Sequence, residues 1–111
     1  MGHRKSGELL QGTLPLLILR VLVPEPNHGF AIARRIQQIS KDVLRVEEGS
    51  LYPALHKMEL EGWIASEWGL TENHRKAKYY KLTRTGRKQL KHETGRWDAI
   101  AGAIAAILQE A

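Results

Sequence analysis

The spacing of apolar residues changes at Gly62, and this change limits the folds that the chain can adopt. Before Gly62, apolar residues recur at helical spacing. After it, the aromatic and β-branched segments Trp63–Trp68 and Tyr79–Leu82 predict two strands. Helical spacing resumes after Thr83 and continues to the C-terminus. The sequence therefore predicts a mainly helical protein with one small β-hairpin.

Three helices are predicted before the hairpin. The first covers residues 13–23, with Thr13 as its N-cap, and the second covers residues 30–40. The third begins at Ser50, a good N-cap residue, and Gly62 stands where a C-cap glycine is expected. This order predicts a helix-turn-helix, formed by the second and third helices, followed by a hairpin wing.

The hairpin and the last helix complete the predicted architecture. Residues 69–78, which hold a glycine, an asparagine and several charges, are predicted to form a long hairpin tip. Thr83 is predicted to cap a long helix that carries an apolar seam at alternating steps of four and three. The seam residues that we assign to contact with a second copy are Leu90, Trp97, Ala101, Ile104 and Leu108.

Length and charge point to the partners of the chain. A protein of 111 residues buries only about two-thirds of its unfolded surface, so we expect its leftover apolar faces to form a homodimer. The net charge is +5, yet residues 74–91 hold eight Lys and Arg and no Asp or Glu. Such a basic segment is typical of a polyanion-binding surface, although a solvated helix face is the alternative.

Several function classes lack support in the sequence. There is no cysteine, no apolar run approaches the roughly 20 residues of a membrane span, and no signal peptide is recognisable. The five histidines have no metal-ligand spacing, and no catalytic arrangement can be argued. We therefore expect a cytoplasmic protein that is not an enzyme, needs no cofactor or metal and does not enter membranes.

The third helix is predicted to have two faces. Leu51, Leu55 and Met58 form an inner face, which leaves polar residues outside that fit the major groove of DNA. The outward residues that we assign to DNA contact are Ser50, Tyr52, Pro53, His56 and Lys57. For Tyr52, a half-buried packing role is an equally good interpretation.

The hairpin tip carries a second group of candidate DNA contacts. These residues are His74, Arg75, Lys76 and Lys78. Their density suits contact with phosphates, or entry of an arginine into a narrow minor groove, and Arg75 is the strongest candidate. Residues 1–8 are then interpreted as an N-terminal tail, residues 9–82 as the winged helix-turn-helix domain and residues 83–111 as the dimerisation helix.

Five segments, in this order, give the chain a resemblance to a known family. They are GTLPLLIL at 12–19, HGFAI at 28–32, EGSLYPAL at 48–55, MELEGWI at 58–64 and RKAKYYKLTRTG at 75–86. The chain resembles the PadR-like transcription regulators from Leu9 to its end, in the compact subgroup that has a single C-terminal dimerisation helix.

The resemblance implies a sequence-specific regulator. It implies a dimeric repressor whose third helices enter successive major grooves of an inverted repeat in double-stranded DNA, while the wings contact flanking DNA. It also implies release of the DNA by a signal, since some family members bind planar aromatic or drug-like effectors near the dimer interface. Trp97 is the candidate effector residue, although an indole in an apolar stripe is more often a packing residue.

One alternative function uses the same fold. A winged-helix module can bind another protein through its apolar C-terminal helix without reading DNA. The basic wing argues against this alternative.

Overall fold

The computed structural model describes the backbone of residues 2–110 and the side chains of residues 12–110. Its elements are α1 (Gly2–Val21), β1 (Asn27–His28), α2 (Gly29–Ile39), α3 (Glu48–Leu60), β2 (Ile64–Leu70), β3 (Lys76–Leu82) and α4 (Arg84–Glu110). The strands form one antiparallel sheet in the order β1-β3-β2. The predicted fold class, a mainly helical winged helix-turn-helix with a long C-terminal helix, is confirmed.

One apolar core joins the first three helices to the sheet. α1 lies against both α2 and α3, and α3 packs on β2. The buried side chains of this core are Leu14, Ile18, Leu19, Leu22, Ile32, Ile36, Leu51, Leu55, Met58, Ile64 and Tyr80. Full burial of such a side chain contributes about 1.5–3 kcal/mol, so this cluster fixes how α3 sits on the scaffold.

Two helices begin earlier than the sequence predicted. α1 starts at Gly2, so Thr13 lies inside it and is not its N-cap, and residues 2–8, which we interpreted as a tail, are helical. Pro15 therefore lies inside α1 rather than in its first turn, and it donates no backbone hydrogen bond to the helix. α3 starts at Glu48 after the N-cap Glu47, which places Ser50 in its first turn. The carboxylate of Glu48 there complements the positive end of the helix dipole.

The sheet differs from the prediction at both ends. The sequence missed β1, whose two residues pair with Tyr80 and Tyr79, because two residues show no alternation of apolar and polar side chains. His28 then caps α2, since its Nδ1 accepts a hydrogen bond from the backbone N–H of Ala31 at 3.4 Å. The β2–β3 ladder extends to the Leu70 and Lys76 pair, so the tip is residues 71–75 rather than 69–78.

A corner formed by residues 62, 63, 83 and 86 fixes the start of α4. The hydroxyl of Thr83 donates to the carbonyl of Gly62 at 2.6 Å, and its backbone N–H donates to the carbonyl of Trp63 at 3.1 Å. The same hydroxyl accepts from the N–H of Gly86 at 3.0 Å, which confirms Thr83 as the predicted N-cap. Gly62 has φ +79°, as a C-cap glycine requires.

The corner requires glycine at position 86. A Cβ atom on Gly86 would lie 1.9 Å from the carbonyl oxygen of Trp63, far inside van der Waals contact. We expect Gly86→Ala to lower the free energy of unfolding by at least about 2 kcal/mol, because backbone must move to admit the methyl group. Chemical denaturation measures this change.

Gly95 of the same helix provides the matched control. A Cβ atom there would meet nothing within 4 Å. Gly95→Ala should therefore raise the free energy of unfolding by about 0.5–1 kcal/mol, as expected for alanine in a helix interior. Equal effects of the two substitutions would contradict the proposed crowding at the corner.

Candidate nucleic-acid interface

α3 buries one face and exposes the other. Leu51, Leu55 and Met58 are buried, while the opposite side points to solvent. On that outward side, Tyr52, Pro53, His56 and Lys57 are exposed, and Ser50 is half-buried. The structure therefore brings together all five α3 residues that the sequence singled out.

The outward face of α3 also holds an apolar residue that sequence reasoning missed. Leu60 is 75% exposed. It follows Pro53 by seven residues, which is two helical turns, so it shares the face of Pro53. The signal was available in the spacing, because Leu60 does not share the face of Leu51, Leu55 and Met58.

Tyr52 combines packing with exposure. Its ring covers Gly29, where a Cβ atom would lie 2.8 Å from Cε1 and 2.9 Å from the hydroxyl oxygen. The side chain is nevertheless 44% exposed. It stands on the edge of a groove of about 470 Å³ between α2 and α3, which Phe30 also lines. Because Gly29 has no side chain, the Tyr52 hydroxyl can lie beside the start of α2.

Glu59 links α3 to the wing. Its Oε2 accepts a hydrogen bond from the hydroxyl of Ser66 on β2 at 2.6 Å. Its Oε1 lies 3.6 Å from Nζ of Lys78 on β3. This ion pair is partly exposed and contributes at most about 1 kcal/mol, but it fixes a direction for the Lys78 side chain. Lys78, which the sequence placed in the tip, lies in β3 and is paired with α3.

Tyr80 lies beneath this link. Burial raises the pKa of the Tyr80 hydroxyl, and the nearby carboxylate of Glu59 and phenol of Tyr52 raise it further. A phenol with a raised pKa stays neutral at physiological pH. The contact between α3 and the sheet therefore carries its charges at its edge, on Glu59 and Lys78, and not in its interior.

The wing tip holds three exposed basic residues. His74 has φ +59°, and its backbone N–H donates to the carbonyl of Thr71 at 2.9 Å. The carbonyl of Arg75 accepts a hydrogen bond from the Thr71 N–H at 2.9 Å, and the Arg75 N–H donates to the Thr71 hydroxyl at 3.2 Å. Lys76 begins β3. The tip backbone is thus tied down while the side chains of His74, Arg75 and Lys76 remain exposed.

Two apolar residues lie on the same face of the wing as Lys76 and Lys78. Trp68 is 69% exposed, and Leu70 is also exposed. Side chains alternate along a strand, so Ile64, Trp68 and Leu70 share one face, but only Ile64 reaches the core. Sequence reasoning identified the strand without showing that β2 extends beyond the core.

Tyr79 braces the opposite face of the hairpin. Its ring covers Gly69, where a Cβ atom would lie 2.9 Å from Cδ1 of the tyrosine. Its hydroxyl donates to the carbonyl of Leu70 at 3.0 Å. This contact joins β3 to the far end of β2.

The apolar seam of α4 divides into two parts. Leu90 packs partly buried against the core of its own chain. Trp97 is 41% exposed, Ala101 is half-buried, and Ile104 and Leu108 are exposed. Ile100 and Ile107 extend the exposed apolar surface. From Trp97 onward, the seam of a single chain is therefore largely uncovered.

Trp97 lines a groove between α1 and α4. The groove has a volume of about 280 Å³, and its walls are Gly12, Thr13, Leu16, Glu93, Arg96, Trp97 and Ile100. It combines an indole face and apolar side chains with one acidic and one basic residue. The groove can hold a planar molecule of modest size.

Within residues 2–110, no helix is long and apolar enough to cross a membrane. Among the side chains of residues 12–110, no three His, Asp or Glu are grouped so as to hold a metal ion.

The helix-turn-helix, the hairpin wing beside α3 and the long C-terminal helix define a winged helix-turn-helix protein. The sequence model of the transcriptional regulator PadR-like family matches residues 18–92. The chain belongs to this family, as the resemblance in its five segments predicted.

Relatives with known sequences or structures agree with this assignment. The transcriptional regulator Rv3488 of Mycobacterium tuberculosis is 30% identical over 97 residues, which cover 87% of each protein. A transcriptional regulator of Clostridium thermocellum has a similar structure, with a TM-score of 0.81 at 25% identity over 89% of this chain and 96% of that one. A PadR-like transcriptional regulator of Bacillus cereus gives 0.78 at 27% identity over 92% and 97%.

Proposed function

We propose that the protein is a sequence-specific DNA-binding repressor that acts as a homodimer in the cytoplasm and is released from DNA by a small-molecule or other signal. The observation that carries this proposal is the outward polar face of α3 beside a wing with a basic tip. Membership of a transcriptional regulator family supports it. The same membership disfavours the alternative of an interaction module that does not read DNA.

In the proposed complex, α3 lies in the major groove of double-stranded DNA. A helix with its side chains is about 10–12 Å wide and matches the groove, which is about 12 Å wide. The hydroxyls of Ser50 and Tyr52 and the side chains of His56 and Lys57 offer hydrogen bonds to base edges or phosphates. Pro53 offers an apolar surface of the kind that contacts a thymine methyl group.

In this proposal, the wing tip contacts the phosphate backbone of the DNA. Arg75 and Lys76 are exposed and contact phosphates, or Arg75 enters a narrow minor groove. His74 adds a donor beside them. Lys78 contributes less freely, because its ammonium group is also paired with Glu59.

The proposed dimer buries the uncovered seam of α4. Leu90, Trp97, Ala101, Ile104 and Leu108 recur at helical spacing, and the last four are not covered by the core. Two copies related by a two-fold axis would bury these side chains against each other. Their α3 helices would then read an inverted repeat whose half-sites lie about 34–36 Å apart.

The groove at Trp97 is the proposed effector site. It lies between α1 and the dimerisation surface of α4, so an aromatic or drug-like ligand stacked on the indole would alter how α4 packs. A change in α4 packing alters the angle between the two α3 helices and so releases the DNA.

DNA contact by α3 and the wing tip can be tested by substitution. The protein should bind the DNA upstream of its own coding sequence more tightly than random DNA. Arg75→Gln should weaken binding to all sequences and reduce the salt slope by about 2, because the dimer carries two copies of Arg75. Lys57→Gln should also change sequence preference, because a lost base contact costs about 1–3 kcal/mol. Binding isotherms at several salt concentrations measure both effects.

Arg20→Gln is the control for DNA contact, because Arg20 is exposed at the end of α1 and belongs to neither α3 nor the wing. Wild-type binding that is no tighter to upstream DNA than to random DNA would overturn the proposed function.

The proposed dimer can be tested by placing a charge in the seam of α4. Ile104→Glu places a carboxylate in the seam and should yield a monomer that binds an inverted repeat far more weakly, whereas Ala99→Glu should leave the dimer intact. Ala99 is exposed and lies on the opposite side of α4. Sedimentation velocity distinguishes the two states, and an Ile104→Glu protein that stays dimeric at micromolar concentration would exclude this seam.

Ligand binding in the groove at Trp97 can be tested with a dye. A planar aromatic dye such as acridine should quench tryptophan fluorescence of the wild-type protein. Trp97→Leu should abolish most of this quenching, while Trp68→Leu, on the distant wing, should preserve it. Equal quenching in the two variants would show that the dye does not bind at Trp97.

A further inference from the structure

Four basic residues form a stripe on the first half of α4. Arg84, Arg87, Lys88 and Lys91 follow one another at steps of three, one and three, which places them on one side of the helix. All four side chains are exposed. We call these four residues the α4 basic stripe.

The α4 basic stripe faces away from the rest of the chain. Gly86 is buried against the corner, and Leu90 packs on the core. At 100° per residue, these two positions lie on the side of α4 opposite to the stripe. Trp97 and Ile104 lie on the side of Gly86 and Leu90, so the stripe stays open when a second copy covers the seam.

From residue 12 to residue 110, no acidic side chain neutralises the stripe. Within the described part of the chain, none of its four residues forms an ion pair. The nearest acidic residue along the helix is Glu93, which pairs with Arg96 at 3.7 Å and accepts a hydrogen bond from Gln89 at 2.9 Å. The charges of the stripe are therefore available to a partner.

The positions of the four basic residues destabilise α4. The first turn of α4 has no acidic residue, and it contains Arg84 and Arg87, whose positive charges oppose the helix dipole. Like charges three and four residues apart repel each other as well. An ordinary solvated helix face alternates charges of both signs, and this one does not. The stripe is thus better explained by an anionic partner than by stability.

The stripe is also remote from the wing tip. β3 spans seven residues between the tip and the corner, or about 23 Å of extended chain. The tip and the stripe therefore cannot hold the same phosphates. The stripe itself covers about 10 Å along the axis of α4, a length that corresponds to about three phosphates of one DNA strand.

We propose that the α4 basic stripe binds the phosphate backbone of duplex DNA beyond the segment contacted by α3 and the wing tip. This inference rests on the proposed function, because binding through α3 brings flanking DNA close to the stripe at high effective concentration. The contact is independent of sequence, since it consists of charge alone.

The test compares two duplexes, one limited to the inverted repeat and one with about ten added base pairs of arbitrary sequence at each end. Wild-type protein should bind the long duplex more tightly and with a steeper salt dependence. Lys88→Gln/Lys91→Gln should leave affinity for the short duplex within about twofold. On the long duplex, it should lower the salt slope by about 4, because the dimer loses two phosphate contacts from each of its two copies.

Two controls make the result specific. Arg20→Gln/Arg35→Gln removes the same net charge at two exposed positions away from the stripe and should retain the advantage of the long duplex. The thermal midpoint of Lys88→Gln/Lys91→Gln should not fall, because the variant relieves repulsion between like charges. A weaker complex with unchanged or higher stability thus separates lost contact from unfolding.

The outcomes distinguish the two proposals. The inference is overturned if the variant loses the same affinity for both duplexes or loses no affinity for either. In the second case, the stripe either binds an acidic protein or is only solvated. Wild-type protein that binds the short duplex no better than random DNA of the same length overturns the proposed function instead.

Discussion

The corner at Thr83 is the constraint on which the arrangement of the whole chain depends. One hydroxyl donates to the carbonyl that follows α3 and accepts from the first turn of α4, while Gly86 admits the carbonyl of Trp63 at a distance that no side chain allows. The helix-turn-helix and the C-terminal helix thereby meet at a fixed point. The corner and α1, which lies against both α4 and α3, join the C-terminal helix to α3.

Glu59 has the corresponding role between α3 and the wing. The hydrogen bond from Ser66 and the ion pair with Lys78 join one side chain of α3 to both long strands. We assign α3 to the major groove of DNA and the hairpin to the DNA backbone, and these two elements are therefore joined in a single unit. Neutral Tyr80 below this link completes the contact without a buried charge.

The parts of the structure that depend on local chemistry could be predicted from the sequence. Thr83 as a cap, Gly62 with positive φ and the two faces of α3 all follow from residue type and spacing. The parts that depend on distant residues could not. β1 exists because Tyr79 and Tyr80 offer it an edge, and the contacts of Tyr52 with Gly29 and of Lys78 with Glu59 join residues that no spacing relates.

The hairpin is stiff over most of its length. β1 lies along β3 at its base, the Tyr79 hydroxyl ties β3 to Leu70 near the far end, and Thr71 holds the backbone of the tip, so the exposed side chains at the tip are what is left to adapt. The distance from the corner to the tip is thus set by the protein and not by its ligand. In the proposed complex, the wing therefore has a fixed length, and a curved or widened DNA groove would be met by the side chains of its tip rather than by bending of its strands.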